Sequence, residues 1–273
     1  MKKSRDIMPG IKGRVKNMTH SIAIANQKGG VGKTTTTGAM AAGLKHRGYK
    51  VLAIDLDAQG NLTDSVGANN MQCSTVYELM KGCSTLKETI QRAKPFDIIP
   101  ANLNLASADM EFVQTGKEYL IKEIVKNVED QYDYIIFDTP PSLGIMTINA
   151  FAYVKKVIIP TTPGVFAVSG IMQLWRTIET IKKYCNPEIK VEGILFTRFN
   201  PRLIISKNIK ELTEVISKEI KATIFETQIR ISVSVDEAQA NQTDIFSYNE
   251  KNIVSQDYNA FVEEYLRKTR ERT

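Results

Sequence analysis

Two rhythms of apolar and polar positions alternate along this chain. Short, nearly continuous apolar runs at 21–25, 51–55, 96–100, 133–138, 156–160 and 191–197 read as strands buried on both faces. Between them, Lys33 to Arg47, Ile145 to Ala152 and Val168 to Tyr184 read as helices, and Gly48 follows the first at a helix-stop position. That exchange predicts an α/β fold, a single mostly parallel sheet with helices on both faces. A later helix led by Arg202 carries Ile205, Ile209, Leu212, Ile216 and Ile220 at helical spacing, a stripe expected in the core. Near the end, Phe261, Val262, Tyr265 and Leu266 make a short apolar stripe expected to pack on the sheet. The segment from Met71 to Gln91 reads as a helical or loop insertion with turn residues.

Composition narrows the class. The 273 residues show no internal repeat, low-complexity tract or Ser/Gly/Pro linker, so residues 20–273 are expected to form one domain behind a basic extension at 1–19. No stretch approaches the roughly 20 apolar residues of a membrane span, and the beginning lacks the apolar core of a secretory signal. Cys73, Cys83 and Cys185 are an odd count without metal-ligand spacing, which argues for reduced thiols in the cytoplasm. His20 and His46 are isolated, and Trp175 is expected in the core. The net charge of +6 suggests a nucleic-acid partner, but residues 1–17 carry six cations against Asp6 and so hold +5 of it. A stronger local signal runs from Arg198 to Arg230, where seven cations face four glutamates.

The chemistry sits at three strand ends. Asn26-Gln-Lys28-Gly29-Gly30-Val31-Gly32-Lys33-Thr34-Thr35 follows the first predicted strand and opens the first predicted helix. Glycines there let backbone N–H groups approach an anion, and the helix N-terminus faces the same way. Lys33 would reach the β- and γ-phosphates of a nucleotide, and the Thr34 hydroxyl would hold Mg²⁺. Gln27 stands where the general motif has its first glycine, and Lys28 adds a second cation inside the loop. Asp55 and Asp57 end the second predicted strand, and Asp138 closes another before Thr-Pro-Pro. Strand C-termini of a parallel sheet share one edge, so Asp138 is placed to act on the metal and Asp57 to orient water beside it.

The three motifs, in this order, resemble the ParA/Soj/MinD family of phosphate-loop NTPases with the deviant Walker A sequence, most of all the partitioning ParA branch. The resemblance spans about residues 20–266. It implies an ATPase using Mg²⁺, with ATP bound by Lys28, Gly29, Gly30, Val31, Gly32, Lys33, Thr34 and Thr35 and with Asn200 on the adenine. It implies catalytic roles for Lys28, Lys33 and Asp57, and a metal site of Thr34, Asp57 and Asp138. Lys28 would cross to the nucleotide of a second subunit in an ATP-sandwich homodimer. Arg202 and Arg230 would bind double-stranded DNA without sequence preference, on the nucleoid, and a ParB-type protein would stimulate hydrolysis. Two alternatives remain, a MinD-like switch at a membrane surface and a ParA-like ATPase that positions other cargo. The chain departs from the Soj pattern at Glu226-Thr-Gln-Ile-Arg230, where a proline near the base is missing, and at Ala58, which replaces a common proline. Cluster cysteines like those of the related nitrogenase iron protein are missing near Asp138.

Overall fold

A computed structural model describes residues 19–69, 71 and 73–271. The first eighteen residues, which carry almost all of the basic extension, lie outside the described residues. Eight strands form one sheet: β1 His20–Ile24, β2 Val51–Asp55, β3 Gln91–Arg92, β4 Asp97–Ile99, β5 Tyr134–Asp138, β6 Lys156–Thr161, β7 Lys190–Phe196 and β8 Thr223–Ile224. Their spatial order is β3-β4-β2-β5-β1-β6-β7-β8, and only the β3–β4 pair is antiparallel. The first strand is therefore central, between β5 and β6, and the order reverses around it. Such a reversal opens a crevice beyond the strand C-termini. Register fixes what meets there, since Asp138 lies opposite both Ile24 and Asp55.

Each face of the sheet is covered by helices. On one face, Ile145–Tyr153 and Ala167–Tyr184 bury Phe151, Ile171, Leu174 and Ile178 against β5 to β7, with Trp175 half-buried beside them. On the other, Lys33–His46 packs with the C-terminal helix Ile253–Arg270. The stripe of Phe261, Val262, Tyr265 and Leu266 is buried there, together with Tyr258. Removing each of the three aromatics from water stabilises the fold by about 2 kcal/mol. That apolar face is committed to the core. Among the described residues, no helix is long and apolar enough to cross a membrane.

The helix Ile204–Glu219 departs from the expected stripe. Ile209 and Ile220 are buried and Ile216 is half-buried, but Ile205 is 45% and Leu212 54% exposed. The buried face instead runs through Ser206, Ile209, Thr213 and Ser217. Hydroxyls can occupy that seam because the helix satisfies two of them itself: Thr213 Oγ1 donates to the Ile209 carbonyl at 2.7 Å, and Ser217 Oγ to that of Glu214 at 2.9 Å. An apolar count treats those residues as surface and rotates the helix. The 71–91 segment holds two short helices, Val76–Lys81 and Leu86–Thr89. Both begin with the reciprocal Thr-x-x-Glu cap, Thr75 with Glu78 and Thr85 with Glu88.

Candidate functional site

The loop between β1 and the helix Lys33–His46 is held from both sides. Asn26 is buried; its Nδ2 donates to the Pro160 carbonyl at 2.8 Å, and its Oδ1 accepts the Lys28 N–H at 2.9 Å. Across the loop, buried Thr197 donates through Oγ1 to the Val31 carbonyl at 2.8 Å, which ties the turn to the end of β7. Gly30 and Gly32 have φ of +71° and +80°, a region that strains any residue with a Cβ. The helix begins at Gly32 without a side-chain cap or an acidic residue in its first turn. Its opening N–H groups are left for an external acceptor, which suits an anion.

Charge is concentrated beneath that opening. Lys33 is only 7% exposed, and its Nζ donates to the Lys28 carbonyl at 3.4 Å. Burial lowers its pKa below the ordinary lysine value, while Asp138 and Asp57 oppose the shift. Asp138 is fully buried at the end of β5 and accepts the Thr37 hydroxyl on Oδ1 at 3.1 Å. Its Oδ2 is buried without a hydrogen-bond partner among the described residues. Burial pushes the Asp138 carboxyl up to about 8, Asp55 adds to the rise, and Thr34, Lys33 and Thr37 oppose it. Asp55, next to it across the β2–β5 pair, is pushed up to about 6 by burial. It accepts the Thr63 N–H and hydroxyl at 3.0 and 2.8 Å and the Asp57 N–H at 3.1 Å. Asp55 thus anchors the start of the loop that presents Asp57. The half-buried Asp57 carboxylate accepts the Gln59 N–H at 3.0 Å and lines the crevice.

This donor set fits Mg²⁺. The orphaned Asp138 oxygen and the Thr34 hydroxyl are hard oxygen donors, and a nearby cation or its water would satisfy the buried carboxylate. No group of three or more His, Cys, Asp or Glu side chains among the described residues could cage a metal unaided. Mg²⁺ is commonly held by one or two protein oxygens with phosphate and water completing its shell.

A cavity of about 1120 Å³ opens over this edge. Gly29, Gly30, Gly32, Lys33, Thr34, Thr35 and Asp57 line one wall, and Arg198 and residues 229–233 line the other. Lys28 is exposed on the rim, with its Nζ beside Gly164. Asn200 does not line the cavity. It is exposed on the turn after β7, where its Oδ1 accepts the Arg202 N–H at 3.0 Å and so shapes the turn. Arg202 is exposed and makes no ion pair among the described residues. Arg230 lines the cavity, but its guanidinium is held by Asp257 of the C-terminal helix through two hydrogen bonds. Sequence reasoning missed Asp55, Asn26, Thr197, Arg198 and Tyr258 as site residues. Asp55 had a signal, as the first acid of Asp-Leu-Asp; Thr197 meets Val31 across 166 residues and had none.

Known proteins share this design over most of its length. The family model described as an AAA domain matches residues 19–191. The chain is 36% identical to the sporulation initiation inhibitor protein Soj of Bacillus subtilis, over 84% of this chain and 90% of Soj. It is 33% identical to the chromosome partitioning protein ParA of Myxococcus xanthus, over 90% of this chain and 88% of ParA. The structure of cobyrinic acid a,c-diamide synthase from Mycobacterium smegmatis with an ATP analogue and magnesium superposes with a TM-score of 0.76. That enzyme is 29% identical, over 93% of this chain and 97% of its own. With the loop, the paired strand-end aspartates and the central β1 in family order, the chain belongs to the ParA/Soj family of phosphate-loop ATPases.

Proposed function

We propose that this protein is an ATP-driven switch for DNA partitioning, in which an ATP-bound homodimer holds DNA without sequence preference and hydrolysis releases it. The observation that carries the reading is the buried Asp138 with its unpartnered oxygen, below an uncapped helix start and beside Lys33 and Asp57. Lys33 would neutralise the β- and γ-phosphates, with backbone N–H groups of Gly29 to Thr35 around them. Thr34 and Asp138 would hold Mg²⁺, with Asp57 at its edge. The metal, when bound, supplies charge neutralisation on the phosphate oxygens. Asp57, half-buried and fixed at its backbone by Asp55, is suited to orient the attacking water. A partly exposed carboxylate can exchange that water, which a fully buried one cannot.

Lys28 lies on the exposed rim rather than over its own cavity, a position that favours delivery to a second subunit. Hydrolysis by a monomer would then be slow, because one phosphate-directed cation arrives only with the partner. Arg202, exposed and without an ion pair among the described residues, supports a phosphate-led surface on the helix Ile204–Glu219 side. Two such surfaces joined in a dimer gain affinity through effective concentration. The relatives named Soj and ParA support a ParB-type protein as the partner that stimulates hydrolysis. Adenine would be read by the wall at 229–233 and Arg198 more than by Asn200, whose carbonyl is engaged in its own turn.

The test is binding of an unrelated DNA duplex and of anionic vesicles by the Asp57→Ala protein, with ATP or ADP, across a salt series. Duplex binding that needs ATP and persists without residues 1–17 is the expected result. Vesicle binding alone, or duplex binding indifferent to nucleotide, would remove the reading.

A further inference from the structure

Arg202 and Arg230 differ in a way their shared sequence role hides. Arg202 is exposed and without an ion pair among the described residues. Arg230 is bound three times by one carboxylate. Its N–H and Nε donate to Asp257 Oδ2, both at 2.9 Å, and its Nη2 donates to Oδ1 at 2.5 Å. Asp257 is itself only 8% exposed, whereas the Arg230 side chain remains 45% exposed. This is no loose surface pair; it is a two-pronged contact on the guanidinium edge that would otherwise grip a phosphate. Carboxylate and phosphate cannot share that edge.

The neighbouring residue leads back to the nucleotide site. Tyr258 is fully buried and lines the cavity, and its hydroxyl lies 3.1 Å from Thr36 Oγ1. Thr36 sits one turn into the helix that Lys33 begins, and its N–H donates to the Gly32 carbonyl at 2.9 Å. Residues 257 and 258 of the C-terminal helix therefore contact the DNA arginine on one side and the phosphate-loop helix on the other.

We propose that Asp257 is the resting counter-ion of Arg230, an internal stand-in for a DNA phosphate, and that it holds Arg230 back from DNA until nucleotide-driven movement of the two helices releases it. The inference rests on the DNA-binding reading above. Arg202 then supplies a standing phosphate contact and Arg230 a conditional one, so nucleotide changes the number of contacts per protomer. Releasing the pair leaves Asp257 with the Arg230 N–H alone, an unfavourable state that nucleotide binding and dimerisation must offset.

The experiment compares wild type with Asp257→Asn for binding of a labelled duplex of arbitrary sequence, with ADP and with ATP, across a salt series. Asparagine keeps an oxygen for the Arg230 N–H and removes the charge. With ADP, affinity is expected to rise by about fivefold or more, and the log–log salt slope to steepen by about 0.9 per protomer. Adding Arg230→Gln should cancel both changes. An unchanged ADP affinity and slope would overturn the proposal, as would ATP-state binding reduced to the Arg230→Gln level. Arg230→Lys is the second variant, since it keeps the charge but cannot bridge both oxygens; it should shift ADP-state binding in the same direction, and decides alone if Asp257→Asn does not fold. Wild type that binds no duplex with ATP removes the DNA reading and the latch together. Wild type that binds, with both variants flat, removes the latch only.

Discussion

The two walls of the nucleotide cavity are built on opposite terms. In the phosphate wall the tips of the loop, Lys28 to Gly30, are exposed, but Asn26, Lys33, Thr36, Thr37, Asp55 and Asp138 are buried, and its polar groups are tied to strand ends by hydrogen bonds from distant parts of the chain. The opposite wall, Arg198 with residues 229–233, is largely exposed; its DNA-candidate Arg230 is engaged, while the other candidate, Arg202 on the nearby turn, makes no ion pair among the described residues. Phosphate is the same in every nucleotide, so its wall can be rigid and generic. The far wall must change state if it is to report which nucleotide is present, and rigid packing there would defeat that. Local stability is expected to follow this division, with switching segments drawn from the weakly packed side.

The comparison breaks most readily at Lys33. Lys33→Ala removes a buried cation facing Asp138 and Asp57, and ATP turnover should fall by about a hundredfold or more. Equilibrium binding of a fluorescent ATP analogue should fall with it. Normal turnover would mean that the phosphate wall is not where the chemistry occurs. Asp57→Ala sharpens the contrast from the half-exposed edge of that wall. Hydrolysis should drop by about 10²–10⁴ with ATP binding retained, and an ATP-dependent dimer should accumulate on size-exclusion chromatography. A protein that stays monomeric with ATP would show that Asp57 serves assembly and not water.

How much of this was legible in the sequence follows the same division. Glycine at positive φ is required by backbone geometry, and the loop spacing and strand end fix where a lysine and an acid fall, so the positions of Gly30, Gly32, Lys33 and Asp138 could be read directly. So could the six main strands, because strands buried on both faces must be apolar throughout. The two-residue strands β3 and β8 were too short to carry a pattern. Asp257 could not be read as the partner of Arg230, since a pair 27 residues apart leaves no periodic trace. Nor could Asn200 be seen to spend its carbonyl on its own turn. The helix Ile204–Glu219 was misread for a different reason: self-satisfied hydroxyls can be buried, and an apolar count does not include them.

That helix gives the next prediction. Ile209→Ala opens a void between the helix and Phe196, Phe199 and Ala167, and should destabilise the protein by about 2–4 kcal/mol in urea unfolding. Leu212→Ala, on the exposed face, should change stability by less than about 0.5 kcal/mol. Equal losses at both positions would restore the stripe expected from apolar spacing and would remove the surface that carries Arg202 from its present orientation.

The smallest effect is a pH slope, and it belongs to the buried wall alone. Burial raises the Asp138 carboxyl to about 8 and that of Asp55 to about 6, both above their values in an unfolded chain. Between the ordinary carboxylate range and about pH 8, the folded protein holds protons that the unfolded chain has released. Its metal-free stability should therefore fall as pH rises through that window and level off above it. Each group contributes at most about 1.4 kcal/mol per pH unit, and relaxation around the carboxylates makes the observed slope shallower. Thermal unfolding in EDTA between about pH 7 and about pH 8 isolates Asp138, because Asp55, half ionised at about pH 6, has largely ionised by the lower limit. Asp138→Asn should flatten the slope in that range, and the Arg230→Gln and Arg202→Gln proteins should keep it. A slope that survives Asp138→Asn would show that the carboxylate is solvated in the metal-free protein, and the contrast between a dry phosphate wall and a wet opposite wall would then fail at its central residue.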